Sequence, residues 1–366
     1  MIEIKGRHNT AIVYTDEIEE SAKQQVYDLC NQAFLQDAKI RMMPDLHAGK
    51  GCTIGTTMTI NDKIVPNFVG VDLGCGMICV KLDIQKETID FKKLDRIIRQ
   101  NVPSGMKIRK KAHRNADAIH YDKITAPINE GRARGSIGTL GGGNHFIEVN
   151  EGEDDSIYLV IHSGSRNPGK QISDHYQQVA VDTNTDSTVT KDMAYLEGKE
   201  MQNYLHVVNI AQQYAATNRK TMAEVIMRGM DWNTVSEFDT IHNYVDIDNM
   251  ILRKGAISAQ DGEVVIIPMN MRDGSLICRG KGNPDWNFSG PHGAGRIMSR
   301  SQARREVNLT EFEDTMKGVW STSVTKSTVD ESPFAYKKMD DIVKHIGETV
   351  EVLEVIKPLY NFKASK

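Results

Sequence analysis

Apolar positions recur at helical spacing between residues 16 and 34, where Ala22, Val26, Leu29, Ala33 and Phe34 fall along one face and acidic residues crowd the first turn. The segment IDFKKLDRIIRQ (89–100) and the longer stretch 191–218, with Leu196, Met201, Leu205 and Val208 along it, carry the same period and predict two more helices. Short β-rich runs lie between them: KIVPNFV (63–69), MICVKLD (77–83), SIYLVIH (156–162), EVVIIP (263–268), SLICR (275–279) and ETVEVLEVI (348–356). Strands and helices are interspersed without a regular βαβ alternation, and no repeat of about 20 to 50 residues appears. The pattern predicts an α+β fold, a single compact domain over 1–366 with mixed β-sheets surrounded by helices. The polar stretches 150–156 and 183–191 read as surface loops or as linkers.

Composition narrows the class. With 39% hydrophobic and 26% charged residues over 366 positions, the chain can bury a sizeable core, which excludes a disordered or fibrous protein. A net charge of -4 excludes coating nucleic acid by bulk charge and leaves room for a local basic cleft. No apolar run approaches the roughly 18 residues of a membrane helix, and MIEIKGRHNT lacks a signal-peptide layout, so no membrane role and a cytoplasmic location are expected. The five cysteines show no paired zinc-ribbon spacing; any chemistry of theirs would be that of free thiolates.

Most of the 29 glycines fall in three windows, 49–76, 131–169 and 274–295. The first contains MPDLHAGKG (43–51) and VGVDLGCGM (69–77), which sets Asp72 and Cys75 in one glycine-bounded turn. Carboxylate and thiolate so close can share one metal or bridge two; equally, Asp72 can cap a turn while Cys75 packs as a small hydrophobe. The second window reads GRARGSIGTLGGGNHFIE (131–148), delivering Asn144, His145 and Glu148 behind a triple glycine. His162 then ends a strand before Ser163-Gly164-Ser165-Arg166, a group suited to phosphate. The third window ends in PHGAGR, with His292 between glycines and Arg296 and Arg300 four residues apart; a helix beginning near Ala294 would put both arginines on one face. An exposed histidine beside paired arginines has what a nucleophile attacking phosphorus needs. His242, in DTIHNYVD, adds another imidazole.

VDLGCGM, GTLGGGNHFIE, HSGSR, HN and PHGAGR, in this order, together with MPDLHAGKG, resemble the RtcB family of RNA-splicing ligases over nearly the whole chain. The resemblance implies an RtcB-like fold and two Mn²⁺ ions bridged by Cys75, with Asp72 and His145 completing one site and His162 and His242 the other. It implies that His292 is the nucleophile guanylylated by GTP, and that Asn144, His145, Glu148, Gly293, Ala294, Gly295, Lys363 and, more weakly, Ser275 surround the nucleotide. Arg166, Arg296 and Arg300 match positions suited to RNA phosphates, and Asp45 matches an acidic residue near the metals. The implied reaction joins an RNA 3′-phosphate or 2′,3′-cyclic phosphate end to a 5′-hydroxyl end, in RNA repair or tRNA splicing, with an archease-type activator as a further partner. Alternatives on the same fold are a nucleic-acid 3′-phosphate capping enzyme and a metal-dependent phosphodiesterase. The chain departs from the family at 269–275, Met-Asn-Met-Arg-Asp-Gly-Ser, where a small Gly-Ser/Thr-Met-Gly stretch is common.

Overall fold

A computed structural model describes residues 1–364. Two sheets dominate it. One is six-stranded and mixed, built from β1 (Ile2–Lys5), β2 (Thr10–Val13), β3 (Ile40–His47), β4 (Ile54–Thr59), β11 (Asn243–Asp246) and β12 (Ile251–Lys254) in the order β1-β2-β3-β4-β12-β11, with only β2 and β3 parallel. The other is seven-stranded and antiparallel. It contains β6 (Gly76–Leu82), β7 (Phe146–Glu151), β8 (Ile157–Ser163), β10 (Thr234–Ile241), β14 (Val264–Asn270), β15 (Gly274–Gly280) and β17 (Val350–Lys363), ordered β10-β6-β8-β7-β17-β15-β14. Two-stranded pairs, β5 (Lys63–Ile64) with β9 (Leu196–Glu197) and β13 (Ala256–Ser258) with β16 (Ser289–Pro291), complete the β structure among the described residues. The α+β expectation holds, and five of the six predicted strands are present.

The sixth is corrected. KIVPNFV continues from β5 into a short helix, α2 (Pro66–Val69), because Pro66 fixes a helical φ at the first position and Gly70, at φ 98°, ends the turn. Around the sheets lie α1 (Glu20–Cys30), α3 (Phe91–Asn101), α4 (Glu130–Ser136), α5 (Arg166–Thr183), α6 (Gly198–Met230), α7 (Arg300–Glu306), α8 (Leu309–Thr315) and α9 (Met339–Ile346). In α3, Asp90 accepts from the Lys93 amide as N-cap, and Leu94, Ile97 and Ile98 turn inward.

The helix predicted over 191–218 begins later, at Gly198, and runs on to Met230, a 33-residue rod about 50 Å long. Its length matters. Met201, Tyr204, Val207, Val208 and Ala211 pack into the core beneath the six-stranded sheet, while Met222, Ala223, Ile226 and Met230 pack beneath the seven-stranded one. One helix thereby ties both cores. No helix among the described residues is long and apolar enough to cross a membrane.

Candidate active site

The chain passes from the seven-stranded to the six-stranded sheet at His242, the residue between β10 and β11, and the chemistry-bearing side chains gather at this seam. Asp72 and Cys75 occupy a tight turn entering β6, in which the Cys75 amide donates to the Asp72 carbonyl at 3.1 Å and Gly74 adopts φ 69°. His145 immediately precedes β7, and His162 lies near the end of β8, paired with Met77 on one side and Phe146 on the other. Gly164 makes room for the carboxylate: a Cβ there would meet Asp72 Oδ1 at 2.1 Å.

Five side chains converge. Cys75 Sγ lies 3.3 Å from His162 Nε2 and 3.5 Å from His145 Nε2, Asp72 Oδ2 is 3.0 Å from His145 Nε2, and the Nε2 atoms of His162 and His242 are 3.3 Å apart. The donor atoms fall into two groups, Asp72–Cys75–His145 and Cys75–His162–His242, each within 4.8 Å and sharing the sulfur. His145 Nδ1 donates to the Leu140 carbonyl at 2.8 Å, and His162 Nδ1 to that of Asn144 at 3.2 Å. With those protons committed, both Nε2 atoms face the cluster as lone pairs, an arrangement suited to metal ligation and held by outer hydrogen bonds. Lone pairs, a carboxylate and a sulfur packed at such distances repel one another unless cations lie among them, and Asp72 Oδ1 has no protein partner. The donor set therefore fits a pair of divalent cations.

The electrostatics agree. Burial and then the Asp72 charge push the Cys75 thiol well above its usual range, so that only a cation in the cluster makes it a thiolate. Burial and neighbouring rings drive the His162 and His242 imidazoles well below theirs, which keeps them neutral.

Behind the cluster stands a group that the periodic pattern does not reveal. Fully buried Arg219 of α6 binds Asp239 of β10 through Nε at 2.7 Å and donates through Nη1 to the carbonyls of Gly74 (2.7 Å) and Ser163 (2.8 Å). One guanidinium thus fixes three ligand-bearing segments. Its neighbour Asn218 receives the amides of Gly138 and Thr139 and donates to the Gly164 carbonyl.

His292 follows β16, and its ring centroid lies 5.1 Å from that of His242. Its Nδ1 is 2.5 Å from Oδ2 of Asp45, a fully buried residue of β3, and its backbone N–H donates to the same oxygen at 3.1 Å. Gly295, at φ 74°, lets the following loop cross that strand: a Cβ there would strike the Asp45 carbonyl at 2.6 Å.

A cavity of about 250 Å³ opens beside His292, His162 and His242, lined among others by Asn144, Glu148, Met271, Gly293, Arg296 and Lys363. Gly295 and Ala294 border it too, whereas Ser275 is buried next to it with an unpartnered hydroxyl. Glu148 accepts from Asn361 at 2.6 Å, and its burial, only partly offset by Asn361 and Lys363, raises its carboxyl to about 7. The predicted helix from Ala294 is absent, since Gly295 leaves helical φ; α7 begins instead at Arg300, capped by Ser299. Arg296 and Arg300 are drawn inward by Asp330 and Glu331, with Arg300 Nη1 2.9 Å from Asp330 Oδ2 and Arg296 Nη1 3.7 Å from Glu331 Oε1. Those two carboxylates, in a short 3₁₀ turn, carry no sequence motif.

Arg166 is separate from this pair. It lines a second cavity of about 310 Å³ on the Asp72–His145 side of the cluster, together with Lys107, Arg132 and Lys170. Its guanidinium lies over Gly141, where a side chain would collide with it, and donates to the Gly105 carbonyl at 3.2 Å. Asn144 borders both cavities.

The profile of the family described as tRNA-splicing ligase RtcB matches residues 25–130 and 120–364. The chain is 31% identical to the RNA-splicing ligase RtcB of Escherichia coli strain K12, with 93% of each chain covered. It is 27% identical to the tRNA-splicing ligase RtcB of Aeropyrum pernix (91% of this chain, 90% of the relative) and 26% identical to RNA-splicing ligase RtcB2 of E. coli strain ATCC 25922 (89% and 87%). Profile match, identity and coverage agree with the motif order and the clustered site, and the chain belongs to the RtcB family of RNA-splicing ligases.

Proposed function

We propose that this RNA ligase joins an RNA 3′-phosphate or 2′,3′-cyclic phosphate end to an RNA 5′-hydroxyl end, consuming GTP through a guanylylated His292. The observation that carries the reading is the His292–Asp45 pair, set at 2.5 Å beside a cluster of five metal-type donors. Asp45 accepts the Nδ1 proton and so leaves the Nε2 lone pair for attack, the same logic by which a buried carboxylate orients a catalytic imidazole in hydrolases.

In the first step, Nε2 attacks the α-phosphorus of GTP; the P–N bond forms and the bond to the β-phosphate oxygen breaks, releasing pyrophosphate. An oxygen of the RNA 3′-phosphate then attacks the phosphoramidate, the N–P bond breaks, and His292 is returned. Finally the 5′-hydroxyl attacks the activated RNA phosphate, GMP leaves, and a 3′,5′-phosphodiester remains. Where the RNA end is a cyclic phosphate, water opens it first. Asp72, Cys75 and His145 would hold one divalent cation and Cys75, His162 and His242 another. Bound there, two Mn²⁺ ions supply neutralisation of phosphate charge and alignment of the displacement.

Glu148 and Lys363 suit a guanine. Lys363 pairs with Phe146 and Asn361 with Glu148 in the β7–β17 register, which makes Glu148 and Lys363 diagonal neighbours on one sheet face. An acceptor beside a donor complements the N1–H, N2–H and O6 edge of guanine, whereas adenine presents the reverse order. Arg166, with Lys107, Arg132 and Lys170, offers positive charge to RNA phosphates at the other cavity.

The test is incubation with α-labelled GTP and Mn²⁺, followed by a search for acid-labile, base-stable label on the protein. Labelling of wild type that disappears in His292→Ala is expected. Absence of labelling with every divalent metal tried would overturn the reading in favour of a phosphodiesterase on the same fold, and transfer of GMP to RNA without sealing would identify a capping enzyme.

A further inference from the structure

We propose that Glu331 is a positioning residue that sets purine selectivity by holding the Lys363 ammonium away from Glu148. The inference rests on the nucleotide reading above. Lys363 Nζ lies 2.6 Å from Glu331 Oε2, with both side chains almost wholly buried, at 6% and 3% exposure. The same carboxylate takes the Tyr336 hydroxyl at 2.9 Å on Oε2 and the Arg300 guanidinium on Oε1. It is held on two sides and cannot follow a moving lysine.

Lys363 thus stands between two carboxylates. Glu148 is its diagonal neighbour across the β7–β17 register, and both project into the one cavity. A lysine side chain has a flexible four-carbon stem and three rotatable donors. Anchored to Glu331 and lying 5.5 Å from the Phe146 ring centroid, the ammonium keeps donors for an incoming O6 while Glu148 keeps its acceptor face for N1–H and N2–H. Released, it is drawn to the nearby buried carboxylate. Donor and acceptor then satisfy each other, and the pocket no longer distinguishes the two purine edges. Neither Arg296 nor Arg300 depends on Glu331 alone, since Arg296 also donates to the Asp330 carbonyl (2.7 Å) and Arg300 also binds the Asp330 carboxylate (2.9 Å).

The experiment measures initial rates of covalent labelling of the full chain, with Mn²⁺, from α-labelled GTP and ATP. Wild type, Glu331→Gln, Lys363→Met and the double variant are compared. Glu331→Gln is expected to raise KM for GTP about tenfold, the equivalent of one lost net hydrogen bond, with a smaller fall in kcat and a matching loss of GTP-over-ATP preference. Lys363→Met should do the same, and the double variant should be no worse than Lys363→Met, since two residues acting as one unit are not additive. Wild-type selectivity in Glu331→Gln, a parallel fall in kcat and melting temperature with selectivity intact, or a further full-sized loss in the double variant would each overturn the proposal. If Glu331→Gln does not fold, Glu331→Asp carries the test: it keeps the charge but retracts the anchor, and its selectivity must fall below that of wild type. Wild type that takes no label from GTP would remove the nucleotide reading and this inference together. Labelled wild type with an unaltered Glu331 variant removes only the inference.

Discussion

Replacing Asp45 by asparagine tests the chemistry proposed for His292 while barely changing the shape of the site. Asp45 is fully buried and receives both the Nδ1 proton and the backbone N–H of His292 on one oxygen. An asparagine can keep one of these as acceptor, but turning its amide toward the ring offers N–H to Nδ1 and favours the tautomer with its proton on Nε2, the atom proposed to attack. Losing a hydrogen bond to a charged group costs about 1.5 to 3 kcal/mol, roughly a 10- to 150-fold fall in rate. Tautomer inversion adds to this, and the equivalent change behind the histidine of a serine protease costs about 10⁴-fold. Asp45→Asn should therefore slow guanylylation by about 10² to 10⁴-fold. Stability should move little or even rise, because Asp45 Oδ1 already lacks a partner and a buried charge is removed. Rapid-quench measurement of labelled adduct, alongside a thermal melt, separates the two effects. A variant that labels within about threefold of wild type, less than 1 kcal/mol, would refute the tautomer argument.

Cys75→Ser should lose bound metal and guanylylation together while remaining folded, whereas Cys79→Ser, buried within β6 and away from the donor cluster, should keep both; metal analysis of the purified variants decides. Gly164→Ala should displace the Asp72 carboxylate, which a Cβ would approach to 2.1 Å, and lower metal content without touching a ligand; full occupancy would show that the turn yields. Glu148 gives a pH signature. Its folded pKa, about 7, exceeds the ordinary 4.5, so the stability tied to its protonated form is complete below pH 4.5 and lost as pH rises toward 7, by about 3 kcal/mol. Melts across that window should show wild type losing stability relative to Glu148→Gln; parallel curves would contradict the burial argument.

The sequence exposed what is local. Turn glycines, donor types and their order lie within short windows, and so the side chains that the fold gathers, Asp72, Cys75, His145, His162 and His242, with His292 beside them, are visible as candidates in the sequence alone. What escaped is long-range or disguised. Asp45 and His292 are 247 positions apart, and resemblance rather than pattern pointed to the first. Asp330 and Glu331 sit in a single 3₁₀ turn with no motif, yet they determine where Arg296, Arg300 and Lys363 point. Helix α5 is hidden in the pattern because Pro168 and Gly169 interrupt its opening turn, and the strand β10 because its exposed edge is polar, TVSEFDTI. Arg219 was invisible for a different reason: the predicted helix stopped at residue 218, one position short of the guanidinium that binds the site from behind.

The change of sheet at His242 has a mechanical consequence. The backbone leaves one layer and enters the other at a metal-type donor, with Asp45 anchored in the six-stranded layer and Cys75 and His162 in the seven-stranded one. Any shear between the layers must alter the spacing between His292 and the donor cluster, and an ion held across the seam would resist that shear. On the proposed mechanism, rivet and reaction centre are the same object: the motion that would loosen the molecule is also the one that would switch off its chemistry.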